Sequence, residues 1–208
     1  MFNRLFFFVT IALLLFAASV ALAKPELSFY LAKKDGSENS DGVTVIVLVE
    51  EEKDKVTEVF NEHWTELMWS DEFVVDLREW AGEAVTINMT TSPGPARNTG
   101  WDWILIGDAR IADGGNIILD IGQAVASGQV KLSMLLDGDK EEIDGLGFGA
   151  NCSPDVGPAG GETKPKSFMQ HPPWDGRVGN TIARYEIELA AVEAEGKLST
   201  TWGQVKEF

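Results

Sequence analysis

Tryptophans placed beside polar residues are the feature of this sequence that best suits binding chemistry. Trp101 and Trp103 flank Asp102, and Arg97 and Asn98 lie shortly before them. A flat indole face can stack on the C–H groups of a sugar ring, while a few fixed polar groups orient the ligand. Carbohydrate binding is therefore the first chemistry that this pattern indicates, although tryptophan is equally common in protein cores.

Three segments carry the candidate residues: the Trp64–Trp69 connection, the Arg97–Trp101 loop, and the His171–Trp174 segment, which two prolines stiffen. The predicted carbohydrate-binding residues are Trp64, Trp69, Arg97, Asn98, Trp101, His171 and Trp174. For each of them the alternative is a structural role, as a core tryptophan or a solvated turn. Trp174 could close the end of the fold instead of stacking on a ligand. Asp102 could cap a turn or hydrogen-bond to the backbone.

No catalytic constellation is recognisable, so we predict no enzyme and no catalytic residue. The two histidines, His63 and His171, are far apart and lack a partnering motif, and lone histidines are more often hydrogen-bonded structural groups. Serine-hydrolase, zinc-protease and phosphate-loop motifs are absent. A carboxylate pair of the glycosidase type stays open, because its spacing is spatial and not sequential.

The formal charge of −16 argues against nucleic acid and against anionic membranes as partners. It suits solubility and is compatible with a structural Ca²⁺, which we cannot assign to a position; no other cofactor is predicted. The acidic turns that suggest a Ca²⁺ site contain Asp35, Asp41, Asp137, Asp139 and Asp144. Most such turns are solvated hairpins. The sequence contains no indication of an oligomeric state.

The N-terminus predicts export. Arg4 precedes an apolar run from Leu5 to Leu22, and Ala21-Leu-Ala23 forms a small-x-small cleavage site before Lys24. This is the pattern of a secretory signal peptide, for which we expect a helix over residues 1–23. The alternative is a membrane anchor, since the run is about long enough to span a bilayer. The expected location is secreted, periplasmic or extracellular. The single Cys152 excludes an internal disulfide, and a small buried residue is its expected role.

Short apolar runs between turn clusters predict an all-β protein. The expected strands are Leu27–Ala32, Val43–Glu50, Lys55–Phe60, Phe73–Leu77, Val85–Thr91, Trp101–Ile106, Asn116–Ile121, Lys131–Leu136, Ile182–Leu189 and a further Leu198–Trp202. We expect Val43–Glu50 to be buried on both faces and Val85–Thr91 to have one wet face. Glu62–Trp69 could form one helical turn. Residues 145–181 form a long Gly/Pro-rich region, which we expect to be an ordered loop packed on the body.

The sequence of residues 69–111 resembles that of a known family. Val75-Asp-Leu-Arg-Glu-Trp-Ala-Gly-Glu-Ala-Val85, followed by an Asp-Trp step and Arg110-Ile, is similar to the later strands of galactose-binding-like jelly rolls, nearest the bacterial novel carbohydrate-binding module family. Ser40-Asp-Gly-Val43 resembles the approach to an earlier strand. The stretch His171-Pro-Pro-Trp to Leu189 resembles a segment that usually opens such modules, yet here it comes last. Either the module is circularly permuted, or this stretch begins a truncated second module.

The length of residues 24–208 suits a single domain after the signal peptide, or one domain with an appendage. The resemblance implies an antiparallel two-sheet jelly-roll sandwich. It also implies a secreted, non-catalytic protein that binds a polysaccharide or glycan. The alternative is an extracellular or envelope module that contacts other proteins and has no sugar site. If Ile182–Leu189 completes the same sandwich, it must share a sheet with, or lie opposite, Leu27–Leu31 or Val43–Val49.

Overall fold

The computed structural model describes residues 24–51, 55–136, 139–154, 156–173 and 178–189. The predicted signal-peptide helix over 1–23, the expected strand Leu198–Trp202 and Trp174 lie outside these residues. The strands are β1 (Pro25–Lys33), β2 (Val43–Glu50), β3 (Val56–Trp64), β4 (Phe73–Asp76), β5 (Ala84–Ser92), β6 (Ile104–Asp113), β7 (Asn116–Asp120), β8 (Lys131–Leu136), β9 (Asp139–Ile143), β10 (Cys152–Ser153), β11 (Phe168–Gln170) and β12 (Gly179–Glu188). Among the described residues, one α-helix, α1 (Ile121–Ala126), and two 3₁₀ turns, Arg78–Trp80 and Phe148–Ala150, join them.

These strands form a β-sandwich of two antiparallel sheets, which confirms the all-β prediction. The first sheet has the order β10-β11-β6-β1-β4, with β7 also paired to β6. The second has the order β3-β2-β5-β12-β8-β9. Between them lies one apolar core, to which β1, β2, β5 and β6 contribute alternate side chains, since successive residues of a strand point to opposite faces.

The inward faces follow the predicted alternation, but two outward faces do not. Val43, Val45, Val47 and Val49 of β2 are fully buried, while the residues between them are half-buried. The prediction that β2 is buried on both faces is therefore wrong, although β2 does lie inside its sheet. The prediction of a wet outer face on β5 is also wrong, because Thr90 and its neighbour Asn88 are buried there.

The C-terminal strand returns to the sandwich as predicted. β12 pairs with β5, where Thr181 lies opposite Thr91, and with β8, where Thr181 lies opposite Met134. It shares the second sheet with β2, so the described C-terminal segment completes this sandwich.

Several element boundaries differ from prediction. β3 continues to Trp64, so the helical turn expected from Glu62 is absent there. β6 begins at Ile104, not at Trp101, and continues to Asp113. After β7 the chain turns into α1, where the Asp120 carboxylate accepts from the backbone N–H of Gln123 and caps the helix. The acidic strand β9 was not predicted.

Much of the Gly/Pro-rich region packs on the first sheet. Phe168 of β11 is fully buried in the main core. On the outer face, a smaller apolar cluster brings the loop residues Val156 and Ala159 against Ala32, Leu105, Met169, Trp69 and Trp103. This region also contains the short strands β10 and β11, which the sequence did not predict.

Candidate functional site

Four connections leave the sandwich at one end, which we call the Trp101 end: residues 34–42, 65–72, 93–103 and the segment that begins at 171–173. Strand registers show this. Val43 lies opposite Trp64, and Thr44 lies opposite Ser92, so β2, β3 and β5 meet there. In the first sheet, Ile104 pairs with both Lys33 and Gln170. The three segments that carry the predicted site residues therefore start from the same end of the fold.

Trp101 presents its side chain to solvent. Its side chain is 51% exposed, and its backbone φ is +65°. Non-glycine residues adopt this left-handed conformation at a cost of about 1–2 kcal/mol, and such strain concentrates at functional sites. The ring of Trp103 meets that of Trp101 edge to face, with centroids 5.1 Å apart. The prediction of a strand that begins at Trp101 is wrong, since both tryptophans precede β6.

Trp103 is the inner support of this aromatic pair. It is half-buried and belongs to the outer cluster on the first sheet. Lys34 Nζ lies 5.3 Å from its ring centroid, within range of a cation–π interaction. Its backbone N–H donates to the carbonyl of Trp101 at 2.8 Å and fixes the tight turn between them. The exposed ring of Trp101 is therefore supported by the ring of Trp103, which packs against the first sheet.

Asp102, between the two tryptophans, points into the protein. It is 1% exposed, and the Ser40 hydroxyl donates to its Oδ1 at 2.7 Å. Oδ2 has no hydrogen-bond partner among the described residues. Burial raises the pKa of Asp102 to about 7, against the lowering effects of the Ser40 hydrogen bond and the Lys33 charge. The buried amine of Lys33 donates to the Ser40 carbonyl at 2.9 Å.

Arg97 and Asn98 are both exposed at the Trp101 end, as their predicted role requires. Arg97 has a φ of +55°, and its side chain lines a cavity of about 370 Å³ with the ends of β5, β8 and β12. Asn98 Oδ1 accepts from the backbone N–H of Gly100 at 3.0 Å, which shapes the turn before Trp101. Arg97 and Trp101 thus belong to one loop, with the cavity on the side of the second sheet.

Trp64 and Trp69 are half-buried and serve packing. Trp64 contacts Phe73 edge to face, with centroids 6.1 Å apart, at the margin of the main core. Trp69 lies over Gly107, where an added Cβ would come within 2.8 Å of the indole ring. Its Nε1 donates to the Glu162 carbonyl at 3.3 Å. Neither indole lies open to solvent as that of Trp101 does.

His171 is buried within the fold, not displayed at its end. It is 1% exposed, its Nδ1 lies 2.8 Å from the Pro172 carbonyl oxygen, and its backbone N–H donates to the Asn151 carbonyl. The expectation that His171 is displayed at the surface as a binding residue is therefore wrong, because its ring is buried. Trp174 lies outside the described residues.

His63 has a structural role at the Trp101 end, where its ring contacts the neighbouring segments. Its ring nitrogens lie 3.0 Å from Thr44 Oγ1 and 3.1 Å from the Asp41 carbonyl oxygen. A Cβ on Gly42 or Gly94 would approach the imidazole within 2.7 and 2.5 Å, respectively, so the two glycines let the loops close on it. The sequence signal was the pair of turn glycines, one on each neighbouring loop.

The described residues contain no group of three or more His, Cys, Asp or Glu side chains arranged to hold a metal ion. Asp35, one of the acidic-turn residues, accepts instead from the backbone N–H groups of Gly160 and Gly161, at 2.7 and 3.1 Å. It thereby pins the loop that covers the first sheet. Within the part of the chain that the structure describes, no helix has the length and apolar character needed to cross a membrane.

Comparison with known proteins finds one stretch of similarity. An uncharacterised protein of Archaeoglobus fulgidus is 39% identical over 80 residues, which is 36% of this chain and 20% of that protein. This chain thus matches about a fifth of the relative's length. No protein-family model and no solved structure matches the chain.

Proposed function

We propose that this protein is a non-catalytic carbohydrate-binding module that holds a glycan against Trp101. The observation that carries the proposal is the exposed indole of Trp101, held in a strained backbone conformation beside Trp103. A ring kept outside the core at a conformational cost suits stacking on sugar C–H groups. Arg97 and Asn98, exposed on the same loop, supply the polar contacts that orient the ligand.

The fold within this proposal is a galactose-binding-like jelly roll in circularly permuted form. The two-sheet sandwich supports it, as does the place of β12, whose sequence resembles the opening segment of the family's modules. Because β12 lies between β5 and β8, the permuted reading is favoured over a truncated second module.

We further propose that the protein acts outside the cytoplasm, on the strength of the signal-peptide pattern at residues 1–23. Mass spectrometry of the protein from a culture supernatant or periplasmic fraction should show an N-terminus at Lys24. An intact Met1 in the exported protein would contradict cleavage.

The binding proposal is tested by affinity electrophoresis of the mature protein on plant, algal and bacterial polysaccharides. Trp101→Ala should abolish retention or weaken binding by about 1–3 kcal/mol, the range for aromatic stacking on nucleic-acid bases. Ile117→Ala is the matched control, because Ile117 is an exposed apolar residue on β7, remote from the Trp101 end. Equal retention of the Trp101 variant and the wild type would move the site elsewhere.

A second candidate is a module that contacts other proteins without a sugar site. One observation favours it: the edge strands β3 and β4 border an open groove of about 750 Å³, in which Val74 is exposed. Unpaired strand edges beside an apolar surface suit addition of a partner's strand. Failure of the wild-type protein to bind any polysaccharide would favour this candidate.

A further inference from the structure

Each of the two sheets ends in an open strand edge on the same side of the sandwich. Among the described residues, β3 pairs only with β2, and β4 pairs only with β1. Between β3 and β4 lies an open groove of about 750 Å³. Val59 and Phe60 of β3 line it and are half-buried, and Val74 of β4 is exposed there. Since an open edge beside apolar side chains is a template for another strand, native proteins usually cover it.

The ladder between β4 and β1 identifies the backbone groups that face this groove. Leu77 N–H donates to the Pro25 carbonyl oxygen at 2.9 Å. The direction of these groups alternates along an antiparallel strand, so the backbone of Val75 also faces β1, whereas that of Val74 and Asp76 faces the groove. A strand in the groove can therefore pair with Val74 and Asp76.

The last residue of the described chain, Leu189, lies close to one end of the groove. Its N–H donates to the Glu83 carbonyl oxygen, and Gly82 N–H donates to its own carbonyl oxygen, each at 3.0 Å. Trp80, two residues before Gly82, lines the groove. Three strand spacings, about 14–15 Å, separate β12 from β3. Residues 190–197 span up to about 26–29 Å when extended, so the chain beyond them can reach the groove.

The sequence beyond these connecting residues suits a strand on an apolar wall. Leu198–Trp202 is an expected strand that lies outside the described residues. In a strand, Leu198 and Trp202 share one face, which matches the half-buried apolar residues of β3. The opposite face carries Ser199 and Thr201 and is suited to solvent.

Charge also favours this segment as the occupant. The groove is lined by three carboxylates and one guanidinium, those of Glu58, Asp76, Glu79 and Arg78. Because the guanidinium is bound to Asp76, the excess charge is that of Glu58 and Glu79. Residues 197–206 contain two lysines and no acidic residue, although the chain has a net charge of −16. A cationic stretch of so acidic a chain is attracted to an acidic groove.

We propose that residues 198–202 form a strand in the groove of their own chain, antiparallel to β4 along its open edge. A segment that enters at the Trp80 end runs from Asp76 toward Phe73, opposite to the direction of β4. The same path is parallel to β3, whereas the described strand pairs are antiparallel. This inference goes beyond carbohydrate binding, because a partner's strand has to displace residues 198–202 to reach the edge.

The test is native-state hydrogen exchange of the mature protein, followed by NMR. In the wild type, the amides of Val74 and Asp76 should exchange at least about tenfold more slowly than in an unpaired strand edge. The double variant Ser199→Pro, Thr200→Pro removes one backbone donor of each direction from the proposed strand. It should speed exchange of the two groove amides by at least about tenfold.

The matched control places the same two prolines in the connecting residues, as Val192→Pro with Glu193→Pro. These residues pair with nothing in the proposed arrangement, so exchange of the two groove amides should stay at the wild-type rate. The amide of Val75, which faces β1, is the internal reference. Its exchange should be equal in all three proteins, which shows that each of them folds.

Rapid exchange of Val74 and Asp76 in the wild type overturns the proposal, and so does slow exchange that persists in the Ser199→Pro, Thr200→Pro variant. Protection that rises with protein concentration, together with a dimer in sedimentation velocity, assigns the groove to a second copy and also overturns it. Loss of protection in a protein that is monomeric throughout supports it. The outcome is independent of polysaccharide retention, which depends on Trp101 at the other end of the fold.

Discussion

The Ser40 hydroxyl donates to the Asp102 carboxylate at 2.7 Å and ties the β1–β2 connection to the β5–β6 loop. Gly42 N–H donates in turn to Ser40 Oγ at 3.0 Å. The turn that raises Trp101 into solvent is therefore fixed from below by a buried carboxyl group on the adjacent residue. Trp101 is exposed and Asp102 is buried, although the two are neighbours in the chain. The hydrogen bond that holds Asp102 therefore also holds Trp101 in its exposed position.

Asp102 should make the protein less stable as pH rises from about 4 to 7. Burial raises its pKa from 3.8 to about 7, so the folded state holds a proton that the unfolded state releases in this range. The cost is absent below pH 4, is complete above pH 7, and is on the order of 4 kcal/mol. Asp102→Asn should remove this contribution, as measured by urea unfolding at pH 4 to 8.

The difference between variant and wild type isolates this contribution from opposing ones. The Arg78 hydrogen bonds lower the pKa of Asp76 to about 2, so that group adds stability above pH 3.8 that is lost as pH falls. Asp71→Asn, at an exposed loop residue, is the control. Parallel pH profiles for the Asp102→Asn and wild-type proteins would show that Asp102 is not a buried acid.

Gly94→Ala should destabilise the Trp101 end more than left-handed strain alone explains. Gly94 has a φ of +73°, and its added Cβ would lie 2.5 Å from His63 Cε1. Gly115, with a φ of +90° and open space around it, isolates the backbone cost of about 1–2 kcal/mol in Gly115→Ala. Urea unfolding should give a clearly larger loss for Gly94→Ala. Equal losses would mean that the imidazole moves aside freely.

The Cys152 thiol should be inert in the folded protein. It is fully buried, and burial raises its pKa to about 12, so little of the reactive thiolate exists at pH 8. A chromogenic disulfide reagent should react slowly with native protein and rapidly in 6 M guanidinium, where roughly the whole chain is exposed. Rapid reaction without denaturant, or a disulfide-linked dimer under oxidising conditions, would contradict this placement.

Tyr185→Phe should raise the free energy of unfolding by about 1 kcal/mol, because the variant no longer buries a hydroxyl that is unpaired among the described residues. Burial also raises the pKa of Tyr185 well above its usual value. An ultraviolet titration should accordingly show one of the two tyrosines ionising only on unfolding. Tyr30→Phe is the control, since Tyr30 is half-buried beneath Lys164. A stability loss in Tyr185→Phe would reveal a partner for the hydroxyl.

The pattern of short apolar runs between turn residues was sufficient to predict β2, β5, β8 and β12, and in β5 and β12 the apolar residues also alternate with a period of two. It failed at β9, whose acidic residues turn only Ile143 into the core and whose strand form depends on pairing with β8. It also failed at Trp101, where the apolar run continues into β6. The start of β6 at Ile104 is set by distant partners such as Ser40 and Lys34, which no local pattern contains.

The placement of the candidate residues was predicted in part. Chain connectivity brings the three predicted segments to one end, and Arg97, Asn98 and Trp101 are exposed there. The burial of His171 was not predictable, since a His-Pro-Pro segment is compatible with a surface turn as much as with a covered one. The burial of Thr90 and Ser133 was also missed, because polar residues at alternate strand positions indicate a solvated face.

The central position of β12 sets an order of events during synthesis. β5 and β8 acquire their shared neighbour only when residues 179–188 have left the ribosome, and until then each keeps an open edge. The second sheet therefore closes late, after nearly all of the described chain has been made. A nascent chain stalled before Gly179 is predisposed to chaperone capture or to pairing with another such chain.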